Sequence, residues 1–270
     1  MRNAIIRAVL GLILGAAPLI PTVLAAELRL LAAELPPFTY HQPPPTVSEI
    51  GEPRGIVYRL VKEMARRIGH SGNIEFMGWT HAQQLAKAGP NIGILALTRS
   101  PEREPLYNWM VEIVTDDLVL VGGAGVDVSD LDKAKNRPTG VLRTSGAEAL
   151  LREHAFTRIE PASEEWVNAM KLRDRRIDAW LAPRLMVLFG WREIGGDATV
   201  LNIGELVRRS PIYFAASRDV SAAEAERWRS AFAQVRADGT YDRILVEYRR
   251  MKVEPIPEEQ RHFERVEWGY

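Results

Sequence analysis

The residues best equipped for chemistry in this 270-residue chain stand together in Thr98-Arg99-Ser100-Pro101-Glu102-Arg103, directly after the apolar run Ile92-Gly93-Ile94-Leu95-Ala96-Leu97. The pattern reads as a short buried strand feeding a helix start, with Ser100 as N-cap and Pro101 at the first helical position. A helix start leaves backbone N–H groups unpaired and carries partial positive charge. Arg99 and Arg103 add guanidinium forks matched to a carboxylate, so the chemistry on offer is capture of an anion. Capping accounts for Ser100 and Pro101 and leaves the two arginines over.

Other chemistries find less support. The chain has no cysteine, which excludes thiol nucleophiles, thiolate metal sites and lipid attachment to an N-terminal cysteine. No Gly-x-Ser-x-Gly, His-Glu-x-x-His or phosphate-cradling Gly-Lys-Ser/Thr loop occurs. The five histidines (His41, His70, His81, His154, His262) lack ligand spacing on any one element, so neither a metal nor another cofactor is expected. With 35 Lys+Arg against 35 Asp+Glu there is no basic field for nucleic acid.

The elements that must position this run form two α/β series. Residues 1–25 carry Arg2 and Arg7, the apolar Ile5 to Ile20 and then Val23-Leu24-Ala25, the pattern of a cleaved secretory signal peptide. An uncleaved anchor is the alternative, weakened by Pro18 and Pro21. Next come a strand at Leu28 to Ala33, a Pro-rich loop from Gln42 to Pro53, an amphipathic helix from Gly55 to Gly69, a strand at Ile74 to Met77, a helix at Ala82 to Ala88 and the strand at Ile92. Val111 to Val121 is long and β-prone. A second series runs through a strand at Thr139 to Leu142 and a helix at Ala147 to His154. It continues with a helix at Glu164 to Arg173, a strand at Ile177 to Leu181 and a β-prone segment at Leu206 to Ala216. Helices at Ala222 to Ala237 and Tyr241 to Met251 precede a charged tail. Alternating strands and helices predict parallel sheets in two lobes, with the two long strands as a hinge and the ligand cleft at the strands' carboxyl ends.

In order and spacing, Leu30 to Phe38 ending in Pro-Pro-Phe, Gly55 with its helix, Ser100-Pro101-Glu102-Arg103, Arg176-Ile177-Asp178-Ala179 and Arg236-Ala237-Asp238-Gly239-Thr240-Tyr241 resemble the periplasmic solute-binding proteins of ABC importers, in particular extracellular solute-binding family 3, the polar amino-acid binders. The resemblance spans the mature chain. It implies an α/β, two-lobed, Venus-flytrap (type II) fold. The first lobe would take residues 26–115 and 212–270, the second 116–211. It also implies a monomer in the periplasm that captures a carboxylate-bearing small molecule and presents it to a membrane permease, with no catalysis. Arg103 would grip the ligand's α-carboxylate with help from Thr98. The second lobe would offer Thr144 and Ser145, although Ser145-Gly146-Ala147-Glu148 is also a capping box.

Trp79 takes the place of a cleft-wall residue, or else packs on the rim. Phe38 ends the first strand and lines the same wall, and Glu34 is a candidate partner for a ligand cation. Pro183 stands where the family presents an Asp to an ammonium, and Arg99 replaces an apolar residue. Arg99 is either a second anion-binding group, favouring a dicarboxylate, an oxo-acid or an acidic amino-acid derivative, or a solvated surface charge. Two alternative functions stay open: a cyclohexadienyl-dehydratase-like enzyme using Glu34 or His81, and a ligand sensor for a membrane receptor.

Overall fold

The computed structural model describes residues 27–42, 51–196 and 200–250. The segment expected to be a signal peptide, the middle of the Pro-rich stretch and the tail after Met251 lie outside the described residues. The first lobe's strands are β1 (Arg29–Ala32), β4 (Ile74–Phe76) and β5 (Ile92–Thr98). These pair in parallel, as β-α-β units must when helices α1 (Ile56–Arg67) and α2 (Trp79–Ala88) return the chain. On the second side β7 (Thr139–Leu142) pairs in parallel with β8 (Ile159–Ala162) and β9 (Ala179–Pro183).

The two sides are joined by 15-residue strands, β6 (Asn108–Gly122) and β10 (Asn202–Ala216), paired antiparallel along their length. One mixed sheet of eight strands results, in the order β4-β1-β5-β10-β6-β9-β7-β8. β10 leaves β5 at Ile212, which pairs with Thr98, and β6 meets β9 at Leu118, which pairs with Pro183. Between those points, at Thr115-Asp116-Asp117 and Arg209-Ser210-Pro211, the two strands pair only with each other.

Hydrophobic burial follows this division except that Leu142 and Met186 of the second side join the first core. One core gathers β1, β5, α1, α2, α7 (Ala222–Ala237) and α8 (Thr240–Arg250) around Leu30, Leu60, Ile94, Phe214 and Trp228. Two clusters cover the second side of the sheet, one holding Leu120, Val141 and Leu151 beneath α4 (Gly146–Glu153). The other holds Val121, Ala169, Trp180 and Val187 beneath α5 (Glu165–Arg173) and α6 (Arg184–Glu193).

Several elements depart from the sequence reading. The Pro-rich stretch is framed by a two-stranded ribbon, β2 (Tyr40–Gln42) with β3 (Glu52–Arg54). Pro53 is accommodated because a two-stranded ribbon has only edges. The four-residue helix α3 (Leu131–Ala134), strand β8 and helix α6 have no counterpart in the sequence reading. No α-helix follows Pro101. The chain turns and makes one 3-10 turn at Glu104–Leu106. Pro105 explains the difference, since it supplies no N–H and its ring collides with the carbonyl four residues back.

Candidate functional site

The carboxyl ends of β5 and β9 and the crossing segments of β6 and β10 meet the start of α4, and Arg103 lies between them. Its side chain is only 8 % exposed. Nη1 donates to the Thr98 carbonyl at 3.2 Å, and Nη2 donates to Gln83 Oε1 at 3.1 Å and to the Thr144 carbonyl at 2.8 Å. Every one of these partners is neutral, and among the described residues no carboxylate forms an ion pair with Arg103. Burial pulls its pKa down, with a further push from the Arg208 guanidinium. A buried guanidinium on neutral partners is suited to an incoming anion.

The wall around it comes from both sides of the molecule. A cavity of about 40 Å³ is lined by Phe38, Trp79, Thr98 and Arg103 from the first side and by Ser145, Gly146, Glu165, Pro183 and Arg208 among others. Arg103, Ser145 and Gly146 also border an outer groove of about 370 Å³ that carries Thr80, Gln83, Lys87 and Arg152. Trp79 opens α2 and is 6 % exposed. Its ring lies under Arg103, 6.0 Å from the guanidinium carbon, and its Nε1 is buried without a hydrogen-bond partner among the described residues. Phe38 is held by its carbonyl, which accepts from Val57 and Tyr58 at the start of α1. Thr98 ends β5 just after Ala96, whose φ of 58° marks a bulge opposite β10. Such a bulge re-aims the residues that follow it.

Thr144 and Ser145 sit where β7 turns into α4. Ser145 caps the helix, accepting from the Glu148 N–H at 3.1 Å. Glu148 reaches back to accept from the Thr144 N–H at 2.5 Å, one residue earlier than a standard capping box. Thr144 has φ 55° and bonds across the cleft. Its Oγ1 contacts Thr80 Oγ1 at 3.1 Å and accepts from Gln83 Nε2 at 3.1 Å, while its carbonyl accepts from Arg103 and Gln83.

Two expected site residues are placed elsewhere. Arg99 forms a two-point ion pair with Glu104 (2.6 and 2.8 Å), donates to Tyr213 Oη at 3.2 Å and stacks on Trp109 and Tyr213. Those bonds raise its pKa, and its charge is already answered outside the cavity lining. Glu34 is also engaged. It accepts from the His41 backbone N–H at 3.1 Å and contacts His41 Nδ1 at 2.6 Å. His81 is exposed on α2.

Two residues of the cavity are not singled out by the sequence. Arg208 lies on β10 and shares the cavity face with Ser210 and Ile212, the period-two neighbours of one strand face. Nothing local in Arg208-Arg209-Ser210 says which arginine turns inward; in the folded strand Arg209 is the exposed one. Glu165 begins α5, is 3 % exposed, and accepts at Oε2 from Trp180 Nε1 (2.8 Å) and Asn168 Nδ2 (3.2 Å). Burial pushes its pKa up to about 7. In sequence, Glu165 looks like any acidic residue in a first helical turn, where it would answer the helix dipole.

No protein-family model matches the chain, and no curated protein sequence matches it. Solved structures do. An ABC uptake transporter substrate-binding protein from Streptococcus pneumoniae with bound histidine aligns at a TM-score of 0.72 and 14% identity, over 84% of this chain and 94% of that one. The substrate-binding protein of an amino acid ABC transporter aligns at 0.71 and 14%, over 82% and 99%. A histidine kinase sensor domain similar to periplasmic binding proteins aligns at 0.71 and 15%, over 83% and 96%. At these identities the likeness is one of architecture, and the chain has the α/β, two-lobed fold of the periplasmic binding proteins.

Proposed function

We propose that this chain is the periplasmic substrate-binding component of an ABC importer. It captures a small carboxylate-bearing solute, an amino acid or related organic acid, between a first lobe (26–115 with 212–270) and a second (116–211), and the closed form is what the membrane permease recognises. The observation that carries this reading is Arg103, buried between the lobes on three neutral acceptors. Thr98, Trp79 and Phe38 form the first-lobe wall, and Thr144 and Ser145 close from the other side. Arg99 and Glu34 have no part in it. Similar solved structures include binding proteins of amino-acid importers, which supports the reading. Among the described residues no helix is long and apolar enough to cross a membrane.

The test is a thermal-shift screen of amino acids, dicarboxylates and aromatic acids, since a ligand of the native state raises the melting temperature. Calorimetry then follows the best binder on Arg103→Ala. A loss on the order of 2–5 kcal/mol is expected for removing one member of a buried charge pair. Unchanged affinity would remove Arg103 from the site.

One observation favours a second reading. Glu165 lines the same cavity with a pKa near neutrality, the poise of a general acid. A cyclohexadienyl-dehydratase-like activity would therefore rest on Glu165 and not on Glu34 or His81. Turnover of prephenate-like acids that vanishes in Glu165→Gln would establish it, and binding without turnover would dismiss it.

A further inference from the structure

Arg103 is not the only cation turned toward the start of α4. A Cβ placed on Gly146 would stand 3.7 Å from Arg208 Nη2 and 3.9 Å from Arg103 Nη1, so two guanidiniums from separate segments converge on one point. Arg208 Nη2 is buried and makes no hydrogen bond among the described residues. Trp79 Nε1, on the same cavity, is likewise buried without a partner, in a residue only 6 % exposed. The two buried side-chain polar atoms of this lining without a partner among the described residues are therefore both donors. The one carboxyl group in its lining is Glu165, which burial holds largely uncharged below neutral pH. Glu102, a further carboxylate near the two arginines, borders the outer groove instead.

Two like charges held close together repel, and Arg208 is among the groups that depress the Arg103 pKa. Such an arrangement is relieved by an anion able to answer both. Guanidinium forks pair in two-point fashion with carboxylates, one carboxylate to each fork. Pro183, where the family resemblance implies the counter-charge to an amino-acid ammonium, lines this cavity and has none to give. Resting on the reading of Arg103 above, we propose that the solute is a dianion, a small dicarboxylate without an ammonium group. Arg103 holds one carboxylate and Arg208 the other, and the buried Trp79 N–H donates to one of them. Arg208 thereby sets specificity. It supplies the second positive charge that the sequence suggests for Arg99. The cavity as it stands has room for no more than a few waters, so the dianion enters with the lobes parted.

Calorimetry on the full mature chain with succinate, glutarate, butyrate, glutamate and glutamine tests this directly. Succinate or glutarate should bind at least ten-fold more tightly than butyrate, glutamate or glutamine. Arg208→Gln should erase most of that preference by weakening the dicarboxylates ten-fold or more and butyrate far less. Circular dichroism and the melting temperature of Arg208→Gln establish that the variant is folded. Arg208→Lys, which keeps the charge, should recover part of the preference. Tighter binding of glutamine or glutamate than of either dicarboxylate overturns the proposal, as does a dicarboxylate affinity indifferent to Arg208→Gln. If those ligands bind and still depend on Arg103, the carboxylate-binding site stands and only the dianion assignment falls. Binding that ignores Arg103 fails both.

Discussion

Glu165 is a carboxyl group where a carboxylate is costly. It is 3 % exposed at the head of α5, and its two hydrogen-bond donors, Trp180 Nε1 and Asn168 Nδ2, both serve Oε2. Burial outweighs those bonds and lifts its pKa from 4.5 to about 7. Asp116, on the segment where β6 crosses between lobes, is lifted from 3.8 to about 7, again mainly by burial. It accepts from the Leu185 and Asp117 N–H groups, with the Asp117 charge raising its pKa further and Arg184 opposing. The consequence for stability has a definite sign. Between the unfolded and folded pKa values the folded chain retains protons that the unfolded chain has lost, so stability falls as pH rises through that window and is level above it. Glu165→Gln should remove its share, on the order of 2–4 kcal/mol across roughly pH 4.5–7.5. Melting curves at about pH 4.5, 6 and 8 will show this as a wild-type melting temperature that drops relative to the variant. Parallel pH profiles for the two proteins would mean that Glu165 ionises normally.

Among the elements, the entry to α1 is the most demanding. Gly55 has φ 125°, and a Cβ there would lie 2.1 Å from the Phe38 carbonyl oxygen, which itself accepts from the first turn of α1. Gly55→Ala should cost on the order of 3 kcal/mol or more, since both the backbone conformation and the space oppose it. Thermal denaturation should register roughly a 10 °C fall. Because Phe38 lines the cavity, ligand affinity should fall as well; a variant with wild-type stability would mean that the loop shifts freely. The helix behind that entry, amphipathic α1, and the apolar β5 are legible in the sequence. The first has a clean 3.6-residue period, and the second is a short apolar run bounded by turn residues. Helix α6 is not, because Leu185-Met186-Val187-Leu188-Phe189-Gly190-Trp191 is apolar on every side and carries no period. β8 hides behind Pro161, tolerated because β8 is the sheet's edge. Among the residues lining the cavity, Arg103, Thr98, Trp79, Phe38 and Ser145 are ones that the sequence and its family resemblance single out. Arg208 and Glu165 are not, since their burial depends on elements distant in sequence, and no local pattern records that.

At the scale of the molecule, Tyr40 packs edge-on against Phe189, while hydrogen bonds across the cleft meet at Thr144. Its hydroxyl meets Thr80 and Gln83 on α2, and its carbonyl meets Gln83 and Arg103, so one residue beside α4 ties the second lobe to the first. Thr144 does this at φ 55°, where a β-branched residue is disfavoured. Thr144→Gly separates the two properties. It deletes the hydroxyl and relaxes the backbone while keeping the carbonyl. If the lobes exchange between open and closed forms about the β6–β10 crossing, losing two interlobe hydrogen bonds of about 0.5–1.5 kcal/mol each should shift that exchange toward the open form by roughly ten-fold. Small-angle scattering of the unliganded variant should then give a larger radius of gyration than the wild type. A saturating ligand should bring the two together, because ligand contacts to both lobes favour closure independently of Thr144. The melting temperature controls for stability, as relief of the positive φ offsets part of the lost bonding. Identical radii with and without the hydroxyl would place the closing force elsewhere, in the Arg103–Thr144 carbonyl bond that glycine retains, and the same scattering measurement on Arg103→Ala would then carry the opening.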